Sequence, residues 1–447
     1  MGIEEAFLHD ILAHPDDDAP RLIYADWLDE HNDPRGEFIR VQCALAQLSD
    51  EDPRRWPLEQ REQELLRDHE AKWLPKDVGD AHCVFRRGFV EEAMLYVHEF
   101  LMVADRLIEQ APVQYLCLRG PRSRAERDRT EEGAGWRSVA RSPHLARLRG
   151  LSLEFPLDVN DLRSLGESPH LKNLTDLKLF TGSLQNDVLV LWEGVITRPT
   201  LRNLSLNWIP SSALRVLANT PHLANLSSLT LSTPAPTIDD WSVLVNSSSL
   251  SNVRELKLND NRLTHEVAAV LAESRLLRQL ESLHLDSNLL GDAGAVAIRE
   301  WPALPRLTRL SMRHNHIFPT GIQALAEAPA IRGLISLDLF GNISCDEGAA
   351  ALAASDWTRL QALNLRFNGV GDKGVAALAQ SATLSQLTRL DLTANRITSH
   401  GARALIESPR LQRLARLDLL RNDIGAAEQE KLRDCFGPWV YFWPLAV

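Results

Sequence analysis

The chain has 447 residues, 44% hydrophobic and 24% charged, with a formal net charge of −11. That is enough apolar material for two or three domains or one long array, and no apolar run nears the roughly 18 residues that cross a bilayer. The acidity sits at one end: residues 1–80 carry 9 Lys and Arg against 21 Asp and Glu, the remainder 40 against 39, so a general role on nucleic acid, which needs a basic face, is not expected.

The opening MGIEEAFLHD has no basic n-region or cleavable apolar core, and Ala6 stands where a myristoylation signal wants Ser or Thr. A cytoplasmic protein without membrane attachment is the expectation. Cys43, Cys83, Cys117, Cys345 and Cys435 are scattered, odd in number and free of CxxC pairs, which predicts buried reduced thiols rather than disulfides or a zinc knuckle. No GxSxG, HExxH, P-loop or strand-linked GxGxxG is present.

Ile3, Phe7, Leu8, Ile11 and Leu12 make a first helical stripe; Leu22, Ile23, Trp27 and Leu28 a second; Phe38, Val41, Leu45 and Leu48 a third; Leu58, Leu65, Leu66 and Trp73 a fourth. Between the first two stand Asp16, Asp17 and Asp18. A calcium loop needs acids at alternate positions, then Gly and Glu at fixed offsets. Adjacent acids on an extended stretch diverge, so they predict a helix start and solvated charge, not a metal site. His9, His14 and His31 lack a two-histidine helical spacing with a carboxylate. Asp26 is expected to accept from Arg21 or Arg40. The text DDDAPRLIYADWLDE…DPRGEFIRVQCALAQL, with the match covering about residues 3–50, resembles the repeat-companion domain, an N-terminal module of bacterial proteins abundant in planctomycetes. The resemblance implies a bacterial origin and a two-part architecture, and carries no activity.

Residues 81–115 read as an N-terminal cap, a strand and a helix leading into an array. From the LCL at 116 to the LSL at 151 the step is 35 residues, and 119–149 hold nine Arg against four acids. Two readings stay open there: a solvated insertion, or a surface that docks the acidic 1–80 module within the same chain.

From 256 onward, LKLNDN, LHLDSN, LSMRHN, LDLFGN, LNLRFN, LDLTAN and LDLLRN recur with asparagines at 261, 288, 315, 342, 368, 395 and 422. Weaker copies begin at 116, 151, 177, 204 and 229, which makes about twelve turns with a step of about 27. The LxL alternation gives a short strand with leucines inward. Asn at its end is suited to bond backbone groups of the bend. An apolar residue two positions on returns to the core, and Gly294, Gly321, Gly348, Gly374 or Gly401 lets a helix start close to its neighbour. Ser344 breaks the apolar slot, and neighbouring Ile343 is expected to replace it with a local distortion. Strands stack at roughly 4.8 Å and helices at about 8–10 Å, so the strand side should be concave. Over about 110–435 this resembles the ribonuclease-inhibitor class of leucine-rich repeats. The expected fold is an α/β leucine-rich-repeat horseshoe solenoid, parallel strands concave and helices convex, preceded by a small all-α N-terminal domain. Its parts would be an acidic helical repeat-companion domain at 1–80, a cap and entry at 81–115, repeats at 116–435 and a C-terminal cap at 436–447, where FGPWVYFWPLAV should close the last repeat as an edge strand or flap.

Outward strand residues fall in rows across the repeats: Glu255, Ser282, Arg309, Ser336, Ala362, Arg389, Arg416; then Lys257, His284, Ser311, Asp338, Asn364, Asp391, Asp418; then Asn259, Asp286, Arg313, Phe340, Arg366, Thr393, Leu420. Arg389 with Asp391, and Arg416 with Asp418, are spaced for ion pairs. The mixture predicts a non-enzymatic scaffold that holds a protein partner on the concave face through Arg309, Arg313, Asp338, Phe340, Arg366, Arg389 and Asp391, with Phe180, Trp208 and Phe367 as secondary contacts. An unoccupied, solvated sheet face is the bland reading. Alternatives from other classes are an enzyme regulator, either a ribonuclease-inhibitor-like blocker or a GTPase activator, and a metal-dependent enzyme built on the acidic module. No cofactor and no catalytic or metal residue is predicted.

Overall fold

The computed structural model describes residues 2–49, 52–78, 81–120, 134–181, 195–196, 198–234 and 236–442. The Arg-rich stretch 121–133 and residues 443–447 therefore lie outside the described residues. The chain divides into two compact units, 1–207 and 208–447.

The first unit opens with four helices, α1 Ile3–Ala13, α2 Asp18–Glu30, α3 Arg35–Ala46 and α4 Arg55–Trp73. The three aspartates before α2 do three different things. Asp17 is the N-cap and accepts the Ala19 N–H at 2.9 Å. Asp18 accepts from Arg87 at 3.4 Å, and Asp16 pairs with Arg149. So the described end of the 119–149 segment does meet the acidic module. Asp26 and Asp29 both hold Arg40. Arg21, instead of reaching Asp26, is fully buried and donates to Glu91 at 2.5 Å. Burial pulls the Arg21 guanidinium below its ordinary value, against the opposing pull of Glu91.

Glu91 belongs to an antiparallel hairpin, β1 His82–Arg86 and β2 Phe89–Tyr96. The hairpin is part of the helical module's core: Ile11, Tyr24, Ala25, Leu28, Ile39, Cys43 and Phe89 form one apolar cluster. Its turn needs Gly88, at φ +87, where any side chain would also run into Ile39. Gln42 fastens the turn, donating to the Phe85 carbonyl at 3.1 Å and accepting the Gly88 N–H at 2.7 Å. Helix α5 Val97–Gln110 follows, then β3 Tyr115–Arg119, β4 Gly150–Glu154, β5 Asp176–Phe180 and β6 Asn203–Asn207, each parallel to the last.

The second unit carries β7 Ser228–Ser232, β8 Glu255–Lys257, β9 Ser282–His284, β10 Arg309–Ser311, β11 Ser336–Asp338, β12 Ala362–Asn364, β13 Arg389–Asp391, β14 Arg416–Asp418 and β15 Val440–Tyr441. All pair in parallel, β7 to β14 with in-register leucines, Leu310 opposite Leu337 and Leu363 opposite Leu390, and β15 with Val440 opposite Leu417. Those leucines are 0–2% exposed. A helix follows each of β7 to β14 and packs on the helix of the next repeat. The fold is an open, unclosed α/β solenoid with an all-helical N-terminal region. Tail residues Val440 and Tyr441 add to the edge of β14, and Phe442 is buried behind them.

Two hydrogen-bond ladders hold the bends. In the first, the buried Asn288 side chain accepts the N–H groups of Asn261 and Leu263, both at 3.0 Å, and donates to the Leu258 and Leu285 carbonyls. Asn342 and Asn395 repeat this for their preceding turns. The second ladder uses an Asp four residues after the Asn. Asp346 accepts the N–H groups of Gly371 and Gly374, and Asp372 those of Thr398 and Gly401. Each thus caps the helix of the following repeat. The close helix start is real at Gly374, where an added Cβ would stand 2.8 Å from Val370 Cγ1 and 3.0 Å from Ala349 Cβ.

The expectation for Ser344 is corrected. Ser344 is fully buried and Ile343 is 42% exposed. No replacement by Ile343 occurs, because the Ser344 hydroxyl has its own partner: it donates to Asn368 Oδ1, as does its N–H at 3.2 Å. In this turn and in the one after Asn288 the second left-handed residue moves two positions on, to Cys345 and Gly291.

Candidate functional site

The geometry of the strand face follows from the bends. In all seven asparagine repeats the residue before the Asn is left-handed, from Asp260 and Ser287 to Ala394 and Arg421, with φ between 50° and 71°. The chain therefore leaves every strand in the same way, and outward residues line up from repeat to repeat. Phe367 sits in that slot at 43% exposure, and Trp208 is also left-handed, at 55%.

Arg313, Asp338, Phe340 and Arg366 are brought together on β10 to β12 and their exits. Arg313 donates to Asp338 Oδ2 from Nε at 2.8 Å and from a terminal nitrogen at 2.7 Å. Asp338 also accepts from Asn364 Nδ2 and from the Phe340 N–H, both at 3.0 Å. Asp286 accepts the Ser311 hydroxyl at 2.5 Å and the Arg313 N–H at 2.9 Å. Burial would lower the Arg313 guanidinium, but Asp338 and Asp286 raise it above its ordinary value. This part of the site is a closed charge network.

The aromatic part is different. The His314 ring meets Phe340 edge-on at 4.5 Å, and Phe340 lies 5.9 Å from Phe367. The Arg366 guanidinium stands over both phenylalanines, 5.2 Å from one ring and 5.5 Å from the other. Its Nε is buried and makes no hydrogen bond. Gly341, at φ +71, leaves the room that the His314 ring fills.

Arg389 and Asp391 do not pair with each other; Asp391 accepts the Thr393 N–H at 2.9 Å instead. Arg416 does hold Asp418, from Nε at 2.9 Å, and also covers the Tyr441 ring at 5.0 Å. Burial pushes the Asp418 carboxyl up, against Arg416. Arg309 starts β10, exposed, away from the aromatic cluster along its strand. Phe180 is half-buried at the end of β5 in the first unit. At the other end of the second unit's face, His284 at 3.6 Å, the Ser228 hydroxyl at 2.7 Å and Lys257 at 3.1 Å surround Glu255. They hold its carboxyl down at about 2, against its part-burial.

Sequence reading missed His314, the acceptor role of Asp286 and the donation from Asn364 to Asp338. His314 was hidden because its slot looks like a bend position, and only the left-handed backbone turns its ring toward Phe340. Among the described residues no group of three or more His, Cys, Asp or Glu could hold a metal ion. Nor is any described helix long and apolar enough to cross a membrane.

A family model described as leucine-rich repeat matches residues 277–298, 304–326, 358–379 and 384–405. No curated protein matches the sequence. Among solved structures, the chain is similar to an internalin (inlF) from Listeria monocytogenes, at 21% identity and a TM-score of 0.40, over 68% of this chain and 82% of that one. It is similar to a chain of the Rad7 and Elc1 complex in yeast at 17% identity and a TM-score of 0.47, over 94% of each chain. A third is the LRR protein LIC12759 of Leptospira interrogans, at 22% identity and 0.38, over 75% and 73%. Strand, asparagine bend and helix recur on one register in the second unit, and the four matched segments fall within it, so that unit has a leucine-rich-repeat fold.

Proposed function

We propose that the protein is a non-enzymatic interaction scaffold that holds a protein partner on the strand face of its second unit. The observation that carries this reading is the cluster of His314, Phe340, Arg366 and Phe367 beside the Arg313–Asp338 pair. It sets exposed aromatic surface and an arginine beside satisfied acids on a rigid sheet, the composition that dominates binding energy at protein interfaces. Arg309, Arg389 and Asp391 extend the surface toward the strand starts. The same reading keeps the ribonuclease-inhibitor-like class, a bacterial cytoplasmic setting, and a repeat-companion module at 1–80 ahead of repeats at 116–435. It is supported by the motif residues and by the four helices at 3–73.

The test is affinity purification with mass spectrometry from the source cells, using full-length protein and a variant carrying Arg313→Glu, Arg366→Glu and Arg389→Glu. A partner recovered by the first and lost by the second, with unchanged thermal melts, supports the reading. A partner retained by both, or none recovered, removes it.

A further inference from the structure

Resting on that reading, we infer that the partner presents an aspartate or glutamate next to an apolar side chain, and that the carboxylate docks on Arg366. Arginine carries five N–H donors and no acceptor. Arg313 spends its donors on Asp338, and Arg416 on Asp418. Arg366 spends none in this way: among the described residues no carboxylate pairs with its guanidinium, and its buried Nε has no acceptor. What it has are two rings, Phe340 and Phe367, which attract the cation and restrain the side chain without using its N–H groups. The buried Nε is out of a partner's reach, but the two terminal nitrogens, held in place and bonded to no described acceptor, are prepared for a carboxylate oxygen ligand.

Charge on the surrounding face selects which oxygen ligand. The middle row of the strand face carries Asp338 and Asp391 beside Arg366. A phosphate group of nearly two negative charges would be repelled more by these acids than a single carboxylate is. A nucleic-acid strand would need a continuous basic track, and these rows alternate in sign. The apolar half of the ligand follows from what lies at the strand exits. Phe367 and Ile343 are 43% and 42% exposed, and Leu289 is 54% exposed two repeats before Ile343. An apolar side chain next to the docking carboxylate would cover Phe367 and Ile343.

A random-peptide display library selected on the immobilised full-length protein tests this. Enriched peptides are synthesised, and their affinity is measured by fluorescence anisotropy against the native protein and single variants. The expected outcome is enrichment of peptides with Asp or Glu beside an apolar residue. Their affinity should fall about tenfold or more in Arg366→Gln, the usual scale for a lost charge-assisted pair. It should fall less in Phe367→Ala, weaken with added salt and stay unchanged in Arg410→Gln, outside the strand face. Basic or featureless peptides, no enrichment, or tighter binding of a short thymidine oligonucleotide would each overturn the inference. If Arg366→Gln keeps the affinity while Arg313→Glu abolishes it, strand-face binding stands and the role given to Arg366 falls. Indifference to every strand-face variant sinks both. Thermal melts of each variant separate lost binding from lost folding.

Discussion

The helical module at 3–73 and the strand face of the second unit use charge in opposite ways. Residues 1–80 are the acidic part of the chain, 21 acids against 9 bases, and look from their composition like the natural docking surface. Yet many of their described acids are occupied at home: Asp26 and Asp29 with Arg40, Glu37 with Arg61, Asp17 on the start of α2, Asp16 with Arg149. The strand face is nearly balanced in charge but, among the described residues, leaves the Arg366 guanidinium over two rings with no carboxylate partner. Net charge measures how many ions a segment carries. Whether any of them is available to a partner depends on which donors and acceptors the fold has already used.

The contrast is broken most severely inside the module. Arg21→Met should cost about 3–5 kcal/mol, because it strands Glu91, 3% exposed, in the core, although Arg87 still reaches it at 2.9 Å. Urea unfolding measures the loss. Adding Glu91→Leu to Arg21→Met should recover most of it, since a buried pair is worth little more than a good apolar replacement. A double variant as unstable as the single one would mean that shape, not charge pairing, holds the module on the hairpin.

Next come the bends that present the face. Asn288→Ala leaves the buried N–H groups of Asn261 and Leu263 without an acceptor, a loss of about 3 kcal/mol. Asn315→Ala should cost roughly half as much. The Asn315 side chain donates to Leu285 and Arg313, but its Oδ1 accepts nothing. Equal losses in urea melts would show that the donor half of the asparagine carries the ladder.

Ser344→Ala isolates a single rung and should cost about 1 kcal/mol. It also marks the limit of what the sequence could say. The repeat period, the inward leucines and the bend asparagines were legible because each is a repeated residue type at a fixed step. Ser344 breaks the pattern, and its meaning depends on a neighbour in the next repeat, Asn368, which no local pattern reveals. In the turn after Asn288, where the left-handed residue is likewise displaced to Gly291, the slot holds Leu290 and neither a hydroxyl nor a backbone N–H reaches the Asn315 acceptor. The Asp ladder was overlooked for a similar reason: Asp346 reads as ordinary helix-start charge until its bonds to Gly371 and Gly374 are seen. For the site, sequence periodicity placed Arg313, Asp338, Phe340 and Arg366 on one face, but which arginine was already paired is a matter of side-chain reach.

At the Glu255 end of the same face, pH offers a gentler probe. The Glu255 carboxyl is held at about 2, below the ordinary value of 4.5. Its contribution to stability is complete above the ordinary value and is lost as pH falls toward 2. Glu255→Gln should therefore lower the melting temperature at neutral pH, and the two proteins should converge as the solution is acidified. A gap that stays constant down to pH 3 would mean that Glu255 acts by packing alone.

The smallest effect on stability is expected at Arg366, and its smallness is the point. A residue kept for the fold should cost stability when removed, as is expected of Arg21. Among the described residues the Arg366 side chain makes only ring contacts, worth about 0.5–1 kcal/mol at a half-exposed position, and it leaves a buried Nε unsatisfied, which offsets that gain. Arg366→Gln should thus leave the urea midpoint within about 0.5 kcal/mol of the native protein. Arg313→Gln, which strips Asp338 of its partner, should cost more. A loss at Arg366 as large as at Arg313 would mean that its rings and backbone need the cation for folding. The strand face would then be as internally committed as the helical module, and the difference between the two regions would disappear.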